Sequence, residues 1–350
     1  MKKTLTPLYA LAFLFLVYSS ALAEWGLYGN ARVGTWYTAQ DEDLSSSGDD
    51  DVDFDQNLHS NARIGANVVA SDEIGGRFEY GTSNGSANIR LLYGMWNFGK
   101  GTLLVGQNYT PIECHMISAI TYKDDGALLS VGIPYESRLP MVQIKMGNLT
   151  LAAVQPYNVN ALGVTERDID TYIPKLEAAY NVKADNINIT LFGGTNIFKV
   201  EDENEHNYEI YSGIAGVRAL ATIDALYING CLFGALNAGD YGFRFDGGAD
   251  HSEIKDGDVE NSTTFGGTGV MGYKLSDKMV VEGGASYVQH DVDSAKDPDG
   301  TMLLYAQVRL FPHPSVCIVP EIGYIDYMDD ASGADEGALM YAGAKWQINF

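Results

Sequence analysis

From residue 25 to residue 350 the chain is a succession of runs in which apolar and polar side chains alternate, joined by connectors that are mostly short and long by turns. A side-chain period of two belongs to a strand with two unlike faces. The last run, ALMYAGAKWQINF, shows it clearly. Met340, Ala342, Ala344, Trp346, Ile348 and Phe350 share one face, and Lys345, Gln347 and Asn349 the other. Similar runs begin near residues 25, 57, 74, 86, 102, 138, 149, 171, 187, 207, 225, 263, 279, 301 and 315. Tight turns at 71–73, 84–85, 99–101, 147–148, 184–186 and 276–278 contrast with long connectors at 40–56, 111–136, 158–170, 239–262 and 291–299. A sandwich or propeller has no cause to alternate connector lengths. A barrel crossing a membrane does, because one rim is built of turns and the other of loops. The expected fold is therefore all-β: a transmembrane antiparallel barrel of about 16 strands, with both termini on the short-turn side.

The N-terminus fits export. Lys2 and Lys3, an apolar run at 8–17 and Ala21-Leu22-Ala23 before Glu24 make residues 1–23 a signal peptide, leaving 24–350 as one barrel domain. No later stretch is long and uncharged enough for a spanning helix, so a membrane location requires a closed barrel. The net charge of −24, from 46 acidic residues against 22 Lys and Arg, argues against nucleic acid as a partner. Cys114, Cys231 and Cys317 lack CxxC spacing and read as small apolar residues. No metal site or cofactor is expected. Asp51, Asp53 and Asp55 have calcium-loop spacing, but the glycine and distal Glu of such a loop do not follow, and a solvated acidic loop is the better reading.

Within the runs, Arg32, Arg63, Arg77 and Arg90 fall one each on the first four strands, all on the polar parity. Strand 4 places Ile89, Leu91, Tyr93 and Met95 on the apolar face against Asn88 and Arg90. Strands 10 and 11 show no clear parity. Pro320 in strand 15 implies a bulge or an altered boundary, since proline donates no ladder bond. Aromatic residues near strand ends imply two interfacial girdles: Phe98, Tyr180, Phe311 and Phe350 by the turns, and Tyr37, Tyr80, Tyr109, Tyr157, Phe198 and Tyr287 by the loops.

With this order in hand, the chain resembles the general diffusion porins of Gram-negative outer membranes. The resemblance covers residues 24–350. It rests on Gly106-Gln107-x-x-Thr110-Pro111 at the end of strand 5, the long third loop at 111–136, and the terminal Phe350. It implies a homotrimer of sixteen-stranded barrels in the outer membrane, in contact with lipid and lipopolysaccharide. Phe350 would be the signal read by the barrel-assembly machinery. The third loop would fold into the lumen and face a basic wall. On this chain the loop supplies Glu113, Asp124, Asp125 and Glu136, and the wall the ladder Arg32, Arg63, Arg77 and Arg90. The family's acidic loop signature is not matched residue by residue, and Glu113-Cys114-His115-Met116 is unusual. The competing reading of the arginines is plain lumen packing on Glu79, Glu177 and similar neighbours.

No catalytic constellation is present: there is no GxSxG and no HExxH, and the six histidines are dispersed. The function expected is passive diffusion of ions and small hydrophilic solutes, with modest cation selectivity set by the acidic outer loops and opposed by the inward arginines. The alternatives are a substrate-specific channel and a surface-binding or adhesion barrel.

Overall fold

A computed structural model describes residues 23–45, 51–83, 86–158, 166–248, 250–292 and 296–350. The chain forms a closed antiparallel barrel of 16 strands. Strand 1 is Glu24–Gln40, and strand 2 has two segments, Asp51–Leu58 and Arg63–Val69. Strands 3 to 7 are Ile74–Ser83, Ser86–Asn97, Thr102–Tyr109, Arg138–Met146 and Leu149–Val154. Strand 8 is also split, as Glu166–Asp170 and Lys175–Ala184. Strands 9 to 12 are Ile187–Asp202, Asn207–Ile223, Leu226–Leu236 and Ser262–Ser276. Strands 13 to 16 are Met279–Val292, Asp299–His313, Val316–Asp326 and Ala338–Asn349.

Closure is made by strands 1 and 16, paired from Asn30↔Asn349 to Gln40↔Leu339, with Gly29 and Phe350 exchanging backbone hydrogen bonds at 2.8 and 3.0 Å. Closure removes the unpaired strand edge that hydrocarbon would not tolerate. The alternation of side chains then sorts the faces. Leu27, Ile64, Leu191, Leu232, Phe265, Ile322, Met340 and Trp346 stand exposed on the outside, while Glu79, Arg90, Glu282, Glu321 and Lys345 are buried inside. An apolar exterior wrapped around a charged interior is the reverse of a water-soluble protein and suits a lipid solvent.

Several local expectations are corrected. Strand 2 begins at Asp51, so part of the acidic connector is strand. Asp51, Asp53 and Asp55 lie on one face of it, paired with Gln40, Thr38 and Trp36. Residues two apart on a strand are about 6.6 Å apart along it, a line rather than a cage for an ion. In strand 4 a bulge opposite Glu79 and Tyr80 inserts Arg90 as an extra inward residue. Beyond it the parity reverses: Leu91 pairs with inward Glu79 and is buried, and Leu92 faces out. Leu91, Tyr93 and Met95 therefore sit on the inner face, because a bulge shifts the alternation by one residue.

Pro320 leaves strand 15 intact. It pairs with Ala344 of strand 16, and the neighbouring ladder to strand 14 skips Val308 and Arg309. The register shift lies nearer the turn, between Leu310 and His313. The girdle expectation requires outward aromatics, and Tyr37, Tyr80, Tyr180 and Phe350 are exposed outside. It fails for Phe198, which is fully buried with Val200 and Ile210, and for Tyr109, which contacts Arg90, His115 and Arg138 inside. Residues 1–22, Asp49, Asp50 and the Asn84-Gly85 turn lie outside the described residues.

Candidate lumen passage

The connector between strands 5 and 6 begins at Thr110-Pro111 and crosses to the far wall. Gly106, just before it, has a left-handed φ of 133°, and a Cβ there would lie 2.2 Å from Leu92 O. The strand therefore bends where only glycine fits. The outgoing limb is fastened along the inner wall in order. Arg218 of strand 10 donates to Glu113 O, and Asn229 of strand 11 to Ile117 O at 2.9 Å. Glu282 of strand 13 accepts from Ala119 N at 2.8 Å. Glu321 of strand 15 accepts from Thr121 N at 2.7 Å and Tyr122 N at 3.1 Å. Tyr122 then stacks on Tyr341 at 3.9 Å and meets Trp36 edge-on at 5.3 Å.

The tip is Lys123-Asp124-Asp125, three consecutive residues with left-handed φ of 50°, 62° and 66°. Such a run costs about 1–2 kcal/mol per residue and persists only where the surroundings enforce it. Here Asp125 accepts from Arg32 at 2.6 Å, Lys345 at 2.8 Å and Asn61 at 2.9 Å, while Asp124 accepts from Ser60 N at 3.1 Å. Burial raises the Asp125 carboxyl, but Lys345 and Arg32 outweigh it and hold it below the usual range. The returning limb passes Gly132, also left-handed, whose carbonyl accepts from Thr268 at 2.9 Å; a Cβ there would meet Ser286 Oγ at 2.4 Å.

Two of the four loop acids named from sequence, Glu113 and Glu136, are buried, although each borders a cavity of the lumen. Glu113 is buried, and burial lifts its carboxyl well above the ordinary range; it accepts only weakly, from Glu136 N at 3.1 Å. Glu136 forms a buried ion pair with Lys175 of strand 8, although burial pushes its carboxyl upward. His115, beside them, is driven down to about 4 by burial and by Arg218 and Arg138, and stacks on Tyr109 at 4.2 Å.

The arginine ladder divides. Arg32 belongs to the loop-tip anchor. Arg63, Arg77 and Arg90 converge on buried Glu79 at 3.3, 3.1 and 2.8 Å, with the Tyr28 hydroxyl donating to the same carboxylate at 2.8 Å. The packing alternative is therefore observed, but three guanidiniums on one carboxylate leave an excess of two positive charges on that wall.

A second connector also folds inward, which the sequence reading did not expect. Residues 238–241 form one buried helical turn, and Tyr241, Phe243 and Phe245 stack in series at 5.0 and 5.4 Å, with Phe245 on Phe233 at 5.3 Å. Asp246 accepts from Ser130 Oγ at 2.9 Å and ties this connector to the third loop. The alternating aromatics of Tyr241-x-Phe243-x-Phe245 were the available signal. The two connectors give strands 9 to 11 an apolar inner face of Phe192, Ile214, Cys231 and Phe233. Strands apolar on both sides have no parity to read.

Two cavities lie along the other wall. A cavity of about 1010 Å³ on the turn side is lined by Arg63, Arg77, Arg90, Arg218, Arg309 and Lys345 and by the acids Glu113, Asp124 and Asp125, with Asn349 and Phe311 at its turn-side end. A second cavity of about 510 Å³ on the loop side is lined by Tyr157, Lys175 and Arg244 among others. Gly126, Leu129, Tyr135 and Arg138 line both, so these four stand where the cavities meet. Arg138 lies over the Tyr109 ring at 5.6 Å and donates to Ser137 Oγ at 3.2 Å. It heads strand 6, immediately after the loop, and was not singled out from sequence.

No protein-family model and no curated protein sequence matches the chain. Solved structures do. The chain is similar to the outer membrane channel DcaP of Acinetobacter baumannii, at 16% identity and a TM-score of 0.72, over 94% of this chain and 98% of that one. It is similar to the trimer form of OmpT, an outer membrane protein of Vibrio cholerae, at 14% identity and a TM-score of 0.59, over 94% and 99% of the two chains. It is also similar to an anion-selective porin from Comamonas acidovorans, at 11% identity and a TM-score of 0.59, over 94% and 100%. The fold is that of outer-membrane porins.

Proposed function

We propose that this porin-fold chain is an outer-membrane channel for small hydrophilic solutes, and that its neck favours anions. The observation that carries the reading is the lining of the passage: Arg63, Arg77, Arg90, Arg138, Arg218 and Arg309 all border the turn-side cavity. Glu113, Asp124 and Asp125 border the same cavity but are outnumbered by these arginines. Glu113 is shifted toward its neutral form, Asp125 is held between Arg32 and Lys345, and Glu136 is paired with Lys175. In a narrow, partly desolvated neck, the nearest fixed charges govern which ion enters, because salt screens exposed charges more than about 8–10 Å away. The net charge of −24, which favours cations, is carried largely by the connectors and acts at longer range.

In this reading Arg138 and the Arg63–Arg77–Arg90 group form the basic side of the constriction, and Leu129 and Tyr135 its loop side. The loop acids serve mainly to fix the loop. The exposed apolar belt faces lipid, three barrels associate, and Phe350 closes the last strand for assembly. The outer-membrane channel and porin neighbours support the channel reading through their shared fold.

The test is solute uptake into proteoliposomes, using pairs matched in size but opposite in charge. Faster entry of the anionic member, with a measurable conductance in planar bilayers, supports the proposal. Faster cation entry refutes the selectivity, and absence of conductance from a folded barrel refutes the channel.

A further inference from the structure

The buried thiols of Cys114 and Cys231 have no part in the passage, yet they face each other. Cys114 lies on the outgoing limb of the third loop and Cys231 on the inner face of strand 11, 117 residues apart in sequence, with their sulfurs 3.2 Å apart. Both are buried. The contact is held from both sides: Arg218 grips the Glu113 carbonyl, the Cys114 N–H reaches Pro134 O at 3.5 Å, and Asn229 donates to Ile117 O at 2.9 Å. The loop limb is thus pinned on either side of the sulfur, opposite a strand paired along both edges. Two thiols in van der Waals contact need only small rotations about their side-chain bonds to bond. Cys317 is separate, half-buried on the turn-side cavity.

We infer that Cys114 and Cys231 form a modification site: a disulfide that joins the third loop covalently to the barrel wall in the exported protein. The inference rests on the outer-membrane reading above only for its compartment, since disulfides persist in the periplasm and not in the cytosol. The chemistry is thiol–disulfide exchange with a disulfide-bearing oxidant, either the disulfide form of a protein oxidant or oxidised glutathione. One cysteine, as thiolate, attacks a sulfur of the oxidant and expels one thiol, leaving a mixed disulfide. The second cysteine, also as thiolate, attacks its partner's sulfur and expels the other thiol. The two cysteines lose two electrons and two protons, and the oxidant's disulfide gains both pairs. Burial raises the Cys114 thiol well above its ordinary range, so exchange is slow in the finished barrel and the bond is made during assembly.

The test is a count of free thiols. Outer membranes are isolated in the presence of a maleimide, and the protein is denatured with maleimide and without reductant. One label is expected, on Cys317, with the Cys114 and Cys231 peptides joined, rising to three labels after reduction. Cys317→Ser should carry no label until reduced. Three labels without reductant, or a bond involving Cys317, overturns the inference. A second arm refolds the chain in oxidised and reduced glutathione, which decides the pairing independently of location. Absence of the protein from the outer-membrane fraction bears on the functional proposal. Failure of the glutathione arm to join Cys114 to Cys231 bears on this one.

Discussion

Glu79 is the carboxylate on which three arginines of the basic wall converge, and Glu79→Gln tests how that wall is held. The side chain is fully buried and accepts from Arg90 at 2.8 Å, Arg77 at 3.1 Å, Arg63 at 3.3 Å and Tyr28 at 2.8 Å. The three arginines are not equivalent. Arg77 is one-third exposed and Arg63 one-fifth, so lumen water replaces much of what they lose. Arg90 is the buried bulge residue, with little water to turn to. Removing one partner of a buried pair costs about 3–5 kcal/mol, and with two of the three pairs discounted for solvent the expectation is about 3 kcal/mol. Equilibrium urea unfolding in lipid vesicles, followed by tryptophan fluorescence, measures it. Adding Arg90→Gln to Glu79→Gln should return part of the loss, since the stranded charge is gone. The substitution also raises the excess charge of the wall from two to three, so anion preference should not fall. A stability change below about 0.5 kcal/mol, the size of an ordinary surface substitution, would refute the view that Glu79 holds the cluster.

Three further outcomes follow from the same geometry. Asp125→Asn removes the charge that Arg32 and Lys345 share and leaves the three left-handed residues held mainly through Asp124, so single-channel recordings should show added flicker from the loop tip. Because the Asp125 carboxyl is depressed in the folded chain, its anchoring is complete above the ordinary carboxylate pKa of about 3.9 and is lost as pH falls through the lower folded value. Acid flicker should therefore begin only below about pH 4, and should be absent as a pH effect in Asp125→Asn. Arg138→Glu, at the junction of the two cavities, should shift the reversal potential toward cations more than Lys145→Glu on the exposed turn side of strand 6. Gly132→Val demands a left-handed β-branched residue with its Cβ 2.4 Å from Ser286 Oγ, and should loosen the returning limb, read as increased protease cleavage within residues 111–136.

The barrel was legible because its signal is repeated: the boundaries of strands 5 and 6, 102–109 and 138–146, follow directly from alternation and turn chemistry. Parity failed where a second influence entered. At Arg90 a bulge added one residue, which no pattern of single residues reveals. In strands 10 and 11 the inner face was apolar because two connectors, not water, lie against it. The position of the loop was legible, but the partners that hold its acids were not. Glu113, Asp124, Asp125 and Glu136 lie on the third loop as expected, yet three of them are spent on burial or on partners distant in sequence, such as Lys345 for Asp125 and Lys175 for Glu136, while Asp124 stays one-third exposed on the cavity. Net charge is additive along a chain, whereas selectivity depends on the few charges left facing the passage. Arg138 is one of those, and nothing in its sequence surroundings distinguishes it from any other strand-initial arginine.

The sign of selectivity is read directly from the zero-current potential of the purified barrel in a planar bilayer under a tenfold potassium chloride gradient. A potential on the chloride side is expected, moving toward zero in Arg138→Gln. A potential on the potassium side in the unaltered protein would contradict a basic neck and return the control of selectivity to the acidic connectors.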